Sequence, residues 1–304
     1  MKRAVSISIG SSTRDKSVEI ELLGEKIRLE RIGTDGDIEK AARMYQELDG
    51  KVDAFGMGGA LLGIMLEDKW RLFHSVQSMV RFVEKTPLVD GTGLKMTLER
   101  QVAHTIREAN IDVSPKRAFV AVALDRWGTA RAFLDDDYDC VFGDLMFSLD
   151  IPIPLRSESG INIAASIMLP IASRLPFHWI YPTGEAQEIN TPKWQKYFQW
   201  ATVVAGDCHY LTRYMPPDMS GKTFVTNTTT EKDRQIFREA GVKHLITTTP
   251  VLDGRSFGTN MMEAALVAAA GRTQPVDYAD AKEYFVEMEE LVKQAGFTPQ
   301  AQEL

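Results

Sequence analysis

Lys116–Asp144 reads KRAFVAVALDRWGTARAFLDDDYDCVFGD, and this stretch decides the fold prediction. Its apolar run Phe119–Leu124 has the length of a buried parallel strand. Small residues in Gly128–Ala132 then allow a helix to approach the sheet closely, and Asp139–Gly143 predicts the next strand. This order of elements predicts a βαβ unit, so we expect a parallel sheet with helices on its faces.

A βαβ unit binds a dinucleotide when its first turn carries G-x-G-x-x-G and an acid follows its second strand. Asp144 has the place of that acid, where it would hold a ribose hydroxyl. The three glycine positions hold Ala123, Asp125 and Gly128. Asp125 would put a carboxylate beside the pyrophosphate, so the stretch supports the scaffold better than it supports the cofactor.

Length and composition limit the class of protein. The chain has 304 residues, of which 44% are hydrophobic and 25% charged, which suits two globular domains. Its formal net charge is −7 and no basic run occurs, so we expect no nucleic-acid partner. No apolar stretch approaches the roughly 20 residues of a membrane helix, and the first residues lack a signal peptide's apolar core. We therefore expect a cytoplasmic protein without a membrane partner.

The cysteines predict no metal centre. The chain has 2 of them, Cys140 and Cys208, and both lie in apolar, strand-like segments. Buried thiols are the simpler interpretation of such positions. No C-x-x-C pair is present, and the carboxylates and histidines show no metal-ligand spacing.

Strands and helices alternate along the rest of the chain. Helices are predicted at Ile38–Leu48, which Asp37 can cap, and at Thr97–Ala109. The clearest break follows at Asn110–Pro115. We predict an α/β fold of two domains. Residues 1–112 form a small N-terminal α/β domain, joined by the C-terminal helices of 259–304. Residues 113–258 form a Rossmann-like domain with a parallel sheet, to which a strand predicted at Phe177–Tyr181 belongs.

Three motifs resemble the shikimate/quinate dehydrogenase family. Asp90-Gly-Thr-Gly precedes the βαβ unit by one helix, and Gly128–Ala132 is similar to the end of that family's glycine loop. Asn227–Thr230 is similar to the family's loop near the nicotinamide. The resemblance implies a dehydrogenase that uses NAD or NADP, with the aspartate as one half of a catalytic Lys–Asp pair. Val52–Ala60, where the family carries that lysine, contains none.

The candidate catalytic residues are Asp90, Lys95 as its substitute partner, and His209, which lies just after a predicted strand and can titrate near neutral pH. The candidate cofactor residues lie in the altered glycine loop, at the second strand end and in the later loop: Asp125, Arg126, Trp127, Gly128, Thr129, Asp144, Asn227 and Thr228. Hydroxyls, a guanidinium and glycine N–H groups after the early strands favour an anion. These candidate substrate-binding residues are Ser11, Ser12, Arg14, Gly58, Gly59 and Thr92.

The sequence predicts an enzyme that acts on a small anionic metabolite, with an NAD(P)-dependent dehydrogenase as the first interpretation. If a dinucleotide binds, Asp144 favours NAD over NADP, because a 2′-phosphate would meet its carboxylate. The altered loop and the missing lysine keep two alternatives open. One is a dinucleotide-independent lyase, isomerase or transferase on the same scaffold, and the other is a non-catalytic metabolite-binding protein. A homodimer is also left open.

Overall fold

The computed structural model describes residues 1–66, 69–174, 190–249, 251–252 and 255–304. Strands and helices alternate through these ranges, with short 3₁₀ turns at Ser12–Arg14, Leu98–Gln101 and Tyr278–Asp280. The strands are β1 (Lys2–Ser8), β2 (Lys16–Leu22), β3 (Glu25–Gly33), β4 (Ala54–Gly58), β5 (Gly63–Leu66), β6 (Lys69–Leu72), β7 (Leu88–Val89), β8 (Arg117–Val120), β9 (Asp139–Phe142), β10 (Val203–Ala205), β11 (Thr223–Thr226), β12 (His244–Thr247), β13 (Val251–Leu252), β14 (Arg255–Ser256) and β15 (Gln300–Glu303). The helices are α1 (Ile38–Leu48), α2 (His74–Val80), α3 (Thr92–Met96), α4 (Val102–Glu108), α5 (Trp127–Asp135), α6 (Asp144–Leu149), α7 (Glu158–Ala172), α8 (Gln195–Trp200), α9 (Cys208–Tyr214), α10 (Glu231–Glu239), α11 (Thr259–Ala270) and α12 (Ala281–Gln294).

The chain forms two compact α/β units, as the sequence predicts. The first unit holds the described residues of Met1–Leu94, Met168–Gly184 and Leu252–Phe297, and the second holds those of Lys95–Ile167, Glu185–Val251 and Thr298–Leu304. The division at 94/95 differs from the predicted boundary at 112/113, because α4 and the turn before it pack against α5 in the second unit. Within 259–304, the part after Phe297 also belongs to the second unit, because β15 pairs with β12 there.

The first unit is built on a five-stranded sheet in the order β2-β3-β1-β4-β7. β3, β1, β4 and β7 are parallel, and β2 pairs antiparallel with β3 at one edge. The central strand β1 is buried from Ala4 to Ser8, as a strand with neighbours on both sides and helices on both faces must be. The polar loops that follow β1, β4 and β7 therefore emerge at the same edge of this sheet.

Helices cover both faces of the first sheet. Tyr45 of α1 packs edge-on against Phe55, with ring centroids 5.0 Å apart. The next residue along β4, Gly56, faces the opposite side, where a Cβ would lie 2.9 Å from the Asn260 carbonyl oxygen of α11. The Asn260 side chain donates a 2.7 Å hydrogen bond to Ser6 Oγ of β1. Helix α11 thus lies directly on the two central strands.

The second unit has a six-stranded sheet in the order β15-β12-β11-β10-β8-β9. All strands except β15 run parallel. Alternate residues of β8 belong to the two hydrophobic cores on opposite faces of the sheet. Phe119 packs with Phe198 in one core, and Val120 packs with Phe133 in the other. The chain leaves β8 for β9 on one side and returns to β10 on the other. The carboxyl ends of β8 and β10 therefore form the topological switch point of this sheet.

Several elements agree closely with the sequence pattern, and others do not. α1 has the predicted bounds, because Asp37 caps it by accepting a 2.8 Å hydrogen bond from Lys40 N. The predicted long helix at 97–109 is instead a 3₁₀ turn followed by α4. The predicted strand Phe177–Tyr181 lies outside the described residues. Over the ranges described, no helix has the length and apolar character needed to cross a membrane.

Candidate functional site

Polar side chains from several elements meet at the switch point of the second unit. We call five of them the Arg126 cluster: Lys95, Glu99, Asp125, Arg126 and Asp207. Asp125 and Arg126 follow β8, and Asp207 follows β10. The cluster lies where open parallel sheets bind their ligands.

Arg126 is the centre of this cluster. Its guanidinium donates one hydrogen bond to Glu99 Oε1 and another, 2.7 Å long, to Asp207 Oδ1. Lys95 Nζ donates a 2.7 Å hydrogen bond to Asp125 Oδ1. Asn227, which follows β11, donates to the same Asp207 oxygen at 2.7 Å. The predicted residue Asn227 is therefore part of the site.

The members of the cluster differ in exposure. The side chains of Glu99 and Arg126 are 1% and 6% exposed, whereas those of Asp125 and Asp207 are 19% and 26% exposed. Lys95 is intermediate at 10%. The Glu99–Arg126 pair is therefore the buried base of the site, and the two aspartates form its rim.

Burial and mutual attraction set the ionisation of the cluster. Burial acts to raise the pKa of Asp125, but Lys95 and Arg126 outweigh it and lower this pKa to about 2. Burial acts to lower the pKa of Arg126, but Asp207, Glu99 and Asp125 together raise it. Burial raises the pKa of Glu99 against the opposing effect of the two cations. Asp125 and Arg126 are therefore charged at neutral pH, and Lys95 faces an ionised carboxylate.

Asp144 has a different role from the predicted ribose contact. Its Oδ2 accepts a 3.1 Å hydrogen bond from Ala123 N, and its Oδ1 accepts a 2.9 Å hydrogen bond from Leu124 N. Burial raises its pKa to about 6, despite these donors. These N–H groups belong to the loop that would approach a pyrophosphate. An internal carboxylate thus occupies the donors that a dinucleotide would need.

The N-terminus of α5 is also covered by the chain itself. A Cβ on Gly128 would lie 1.9 Å from the backbone oxygen of Lys95. Thr129 Oγ1, in the first turn of this helix, donates a 2.9 Å hydrogen bond to Glu99 Oε2. A pyrophosphate normally lies at this end of the helix. The residues present do not fit a dinucleotide, because the Glu99 carboxylate and the Lys95 backbone carbonyl already lie where its phosphates would bind.

The remaining predicted cofactor and catalytic residues of this unit are not part of the cluster. Trp127 packs on the hydrophobic core around Phe133. Thr228 is only half-buried, and His209 is exposed in the first turn of α9. Sequence reasoning missed two residues of the site, Glu99 and Thr248. The Thr248 hydroxyl lies 3.3 Å from Glu99 Oε1.

Asp90 lies in the first unit and fixes backbone there. Its Oδ2 accepts a 2.7 Å hydrogen bond from Leu62 N, and its Oδ1 accepts a 3.0 Å hydrogen bond from Thr92 N. It is 4% exposed. The predicted dyad of Asp90 with Lys95 stays a prediction, and Lys95 donates a hydrogen bond to Asp125 in the second unit. Thr92, a predicted substrate residue, contributes its backbone to the Asp90 turn.

A buried carboxyl group close to Asp90 carries no prediction from the sequence. Glu263 of α11 is 0% exposed, accepts a 2.6 Å hydrogen bond from the Tyr284 hydroxyl and accepts another from Leu94 N. Burial, together with the charge of Asp90, raises its pKa to about 7. Glu263 therefore titrates near neutral pH inside the first unit.

The predicted serine loop is held together by its own contacts. Ser11 Oγ accepts a hydrogen bond from Thr13 N at 3.2 Å, and Ser12 N donates to Asp35 Oδ1 at 2.7 Å. The guanidinium beside this loop belongs to Arg31, which donates to Asp15 at 3.0 Å, whereas the predicted Arg14 is exposed. These contacts hold the loop between β1 and β2 in place without a bound ligand.

Close packing accounts for the glycines after β4. A Cβ on Gly58 would lie 2.7 Å from Ser8 Cβ, and one on Gly59 would lie 2.7 Å from Ile9 Cγ1. Gly59 also has a φ of +78°, which favours glycine. The structure therefore gives both residues a packing role that needs no bound anion. Within the part of the chain that the structure describes, no group of three or more His, Cys, Asp or Glu side chains is placed to hold a metal ion.

Two protein families match successive parts of the chain. Residues 93–304 match the family described as Domain of unknown function (DUF8754), and the chain belongs to that family. Residues 3–90 match Domain of unknown function (DUF8753). No curated protein matches the chain. The border between the two family matches falls close to the division of the structure at 94/95.

Solved structures show only distant likeness. A crystal structure provisionally assigned as a malic enzyme (malate oxidoreductase) is 10% identical with a TM-score of 0.35, over 95% of this chain and 84% of that one. A Mycobacterium smegmatis protein in complex with beta-D-fucofuranose is 12% identical with a TM-score of 0.34, over 100% and 99%. A carbohydrate transporter solute-binding protein from Agrobacterium radiobacter, in complex with D-arabinose, is 10% identical with a TM-score of 0.34, over 96% and 98%. Likeness at this level carries no functional argument.

Proposed function

We propose that the protein is an enzyme that acts on a small molecule without a dinucleotide, and that its substrate binds at the Arg126 cluster. The observation that carries this proposal is the position of Asp125 and Asp207 after β8 and β10, the two strands of the switch point. Ligand sites use a small number of placed polar groups to fix the orientation of the ligand, and these two partly exposed carboxylates can serve that role.

Lys95 is the candidate for the chemistry. Asp125 stays ionised because its pKa is about 2, and its carboxylate fixes the position of the Lys95 side chain through a 2.7 Å hydrogen bond. A lysine side chain held in place can stabilise negative charge that develops on a substrate oxygen. This favours a lyase, isomerase or transferase whose transition state carries an oxyanion. Asp125 positions Lys95, and Asp207 accepts a hydrogen bond from the substrate.

A dehydrogenase of the shikimate/quinate type has less support. Its dinucleotide would have to displace Asp144 from the loop N–H groups and Glu99 from the N-terminus of α5. A cytoplasmic location remains part of the proposal, and the buried free thiols of Cys140 and Cys208 agree with a reducing compartment.

Native mass spectrometry of the protein purified from its host tests the site. We expect a small molecule bound to the wild-type protein that is retained in Asp139→Asn and lost in Asp207→Asn. Asp139 is the matched control, because it is an aspartate of the same unit whose side chain is 60% exposed. Equal retention in both variants would contradict the site.

Calorimetric titration with NAD and NADP tests the independence from a dinucleotide. We expect no saturable binding of either compound at millimolar concentration. Once the substrate is known, Lys95→Met should lower kcat by about 10²- to 10³-fold, the effect of losing one oxyanion donor. A saturable NAD or NADP complex would return the dehydrogenase interpretation to first place.

A further inference from the structure

Exposed apolar side chains are concentrated in one segment of the chain. Of the nine large hydrophobic residues that are exposed in the described ranges, six lie between Leu149 and Ile171. Single exposed apolar residues are ordinary on a soluble monomer, but a contiguous apolar patch marks a surface that binds something. The concentration in this segment therefore points to an interaction surface.

Helix α7 carries the most exposed of these six residues. Ile163, Ile167 and Ile171 are 63%, 64% and 59% exposed, and their spacing of four places them in one row along the helix. The opposite face is packed inside, because Ile161 and Ala165 are buried. Helix α7 thus has apolar residues on its outer face as well as on its buried face.

The outer face of α7 carries no charge. Glu158 begins the helix and Arg174 follows its end, and the sequence between them contains no Asp, Glu, Lys or Arg. The outer face of a surface helix typically carries charged and polar residues, whereas an apolar outer face is typical of a helix that is covered. The row of isoleucines therefore has the pattern of a covered face.

The row is symmetric about Ile167. A two-fold axis through this residue sets Ile167 against its own copy, and it sets Ile163 against Ile171 of the second molecule. Rows of this spacing are the ridges by which helices pack against each other. A two-fold interface requires a patch that is complementary to itself in this way.

The charged residues at the two ends of the row suit an antiparallel second copy. Glu158, whose side chain is 46% exposed, lies nine positions before Ile167, and the exposed Arg174 lies seven positions after it. Antiparallel pairing therefore brings Arg174 of each molecule towards Glu158 of the other, and it sets the two helix dipoles in opposite directions. A parallel pair would bring like charges together instead.

We propose that α7 is the centre of a homodimer interface, in which it packs antiparallel against α7 of a second copy with Ile167 on the two-fold axis. The interface is separate from the proposed function, because α7 contains no member of the Arg126 cluster. A standard interface covers about 800 Å² on each molecule, which is more than one helix offers. The exposed residues Leu149, Ile151 and Ile153 precede α7 and are the candidates for the rest of it.

The oligomeric state in solution tests the interface. Light scattering after gel filtration, over a concentration series in the micromolar range, should give twice the 34.0 kDa of one chain. Ile167→Glu sets two like charges face to face at the axis and should raise the dissociation constant of the dimer at least about 100-fold. Val286→Glu is the matched control, because Val286 is an apolar residue of α12 that is 69% exposed. It should leave the dimer unchanged, and circular dichroism should show both variants folded.

Cysteine cross-linking tests the orientation. Both native cysteines are buried, so a cysteine introduced into the row can be oxidised selectively. Ile167→Cys should form a disulfide-linked dimer. Ile163→Cys alone should not, because a helical rise of about 12 Å separates its two copies, which is more than a disulfide spans. A mixture of Ile163→Cys and Ile171→Cys should form the linked dimer.

Three results would overturn the proposal. A wild-type protein that stays monomeric throughout the series leaves the face to an occupant of another kind. A dimer that Ile167→Glu does not weaken must use another surface. A linked dimer of Ile163→Cys alone rules out the antiparallel arrangement. Ligand binding at the Arg126 cluster is measured separately, so none of these results bears on the proposed function.

Discussion

Glu99 and Arg126 form an ion pair in which the two side chains are 1% and 6% exposed. Removing one partner of such a pair leaves the other as an isolated charge in the interior. We expect Arg126→Met to lower the free energy of unfolding by about 3–5 kcal/mol, measured by urea denaturation. The double variant Glu99→Met/Arg126→Met should recover at least half of that loss, because it leaves no unpaired charge at Glu99. A double variant less stable than Arg126→Met would contradict this account.

The close packing around Gly128 makes the expected effect of Gly128→Ala on stability unusual. Glycine to alanine inside a helix normally stabilises by roughly 0.5–1 kcal/mol. Here the new Cβ would lie 1.9 Å from the Lys95 carbonyl oxygen, so Gly128→Ala should destabilise the protein by at least about 2 kcal/mol. Gly160→Ala in α7 is the control, because its Cβ would meet only a side-chain oxygen at 3.3 Å. Equal effects of the two variants on the unfolding temperature would contradict the close approach.

The raised pKa of Glu263 should make the stability of the protein depend on pH. Its pKa rises from an ordinary 4.5 to about 7 on folding, so the folded state holds a proton that the unfolded state releases. The free energy of unfolding should therefore fall as pH rises from about 4.5 to 7, by roughly 3 kcal/mol from this group, and stay level above. Glu263→Gln should reduce this fall in urea titrations, and Glu289→Gln, at an exposed position of α12, should not. A fall of unchanged size in Glu263→Gln would assign the dependence to another group.

Substitution of Asp144 should loosen the loop after β8 locally. Asp144→Asn replaces one of two acceptor oxygens by a donor, which leaves the N–H of Ala123 or Leu124 without its acceptor. We expect a loss of about 1–3 kcal/mol in the free energy of unfolding. Hydrogen exchange followed by mass spectrometry should show faster exchange in this loop and unchanged exchange in β11. Uniformly faster exchange throughout the second unit would indicate a global effect instead.

Local signals explain which parts of the structure were predictable. α1 was predicted with correct bounds because Asp37, its cap, and the buried positions Ala41, Ala42 and Tyr45 all lie within one short segment. The parallel sheet of the second unit follows in the same way from short apolar runs separated by helices. Such signals depend on neighbours in sequence.

The candidate site depends on partners far apart in sequence, so it was only partly predictable. Asp125 and Arg126 were singled out because Asp125 replaces a glycine of a recognisable loop and Arg126 follows it in that loop. The contact of Lys95 with Asp125 was not predicted, because nothing local links Lys95 to a carboxylate 30 positions away. Glu99 is part of no motif and no apolar pattern. Only its burial against Arg126 reveals its role.

The division of the chain has a consequence for the order of synthesis. Helix α11, which lies on β1 and β4, is separated from them by the whole parallel sheet of the second unit. During synthesis on the ribosome, the face of the first sheet that carries Ser6 and Gly56 therefore stays uncovered until residues near Asn260 have emerged. A nascent chain stalled before that point exposes an apolar surface that the finished protein hides, and it is at this stage that a chaperone would have most to bind.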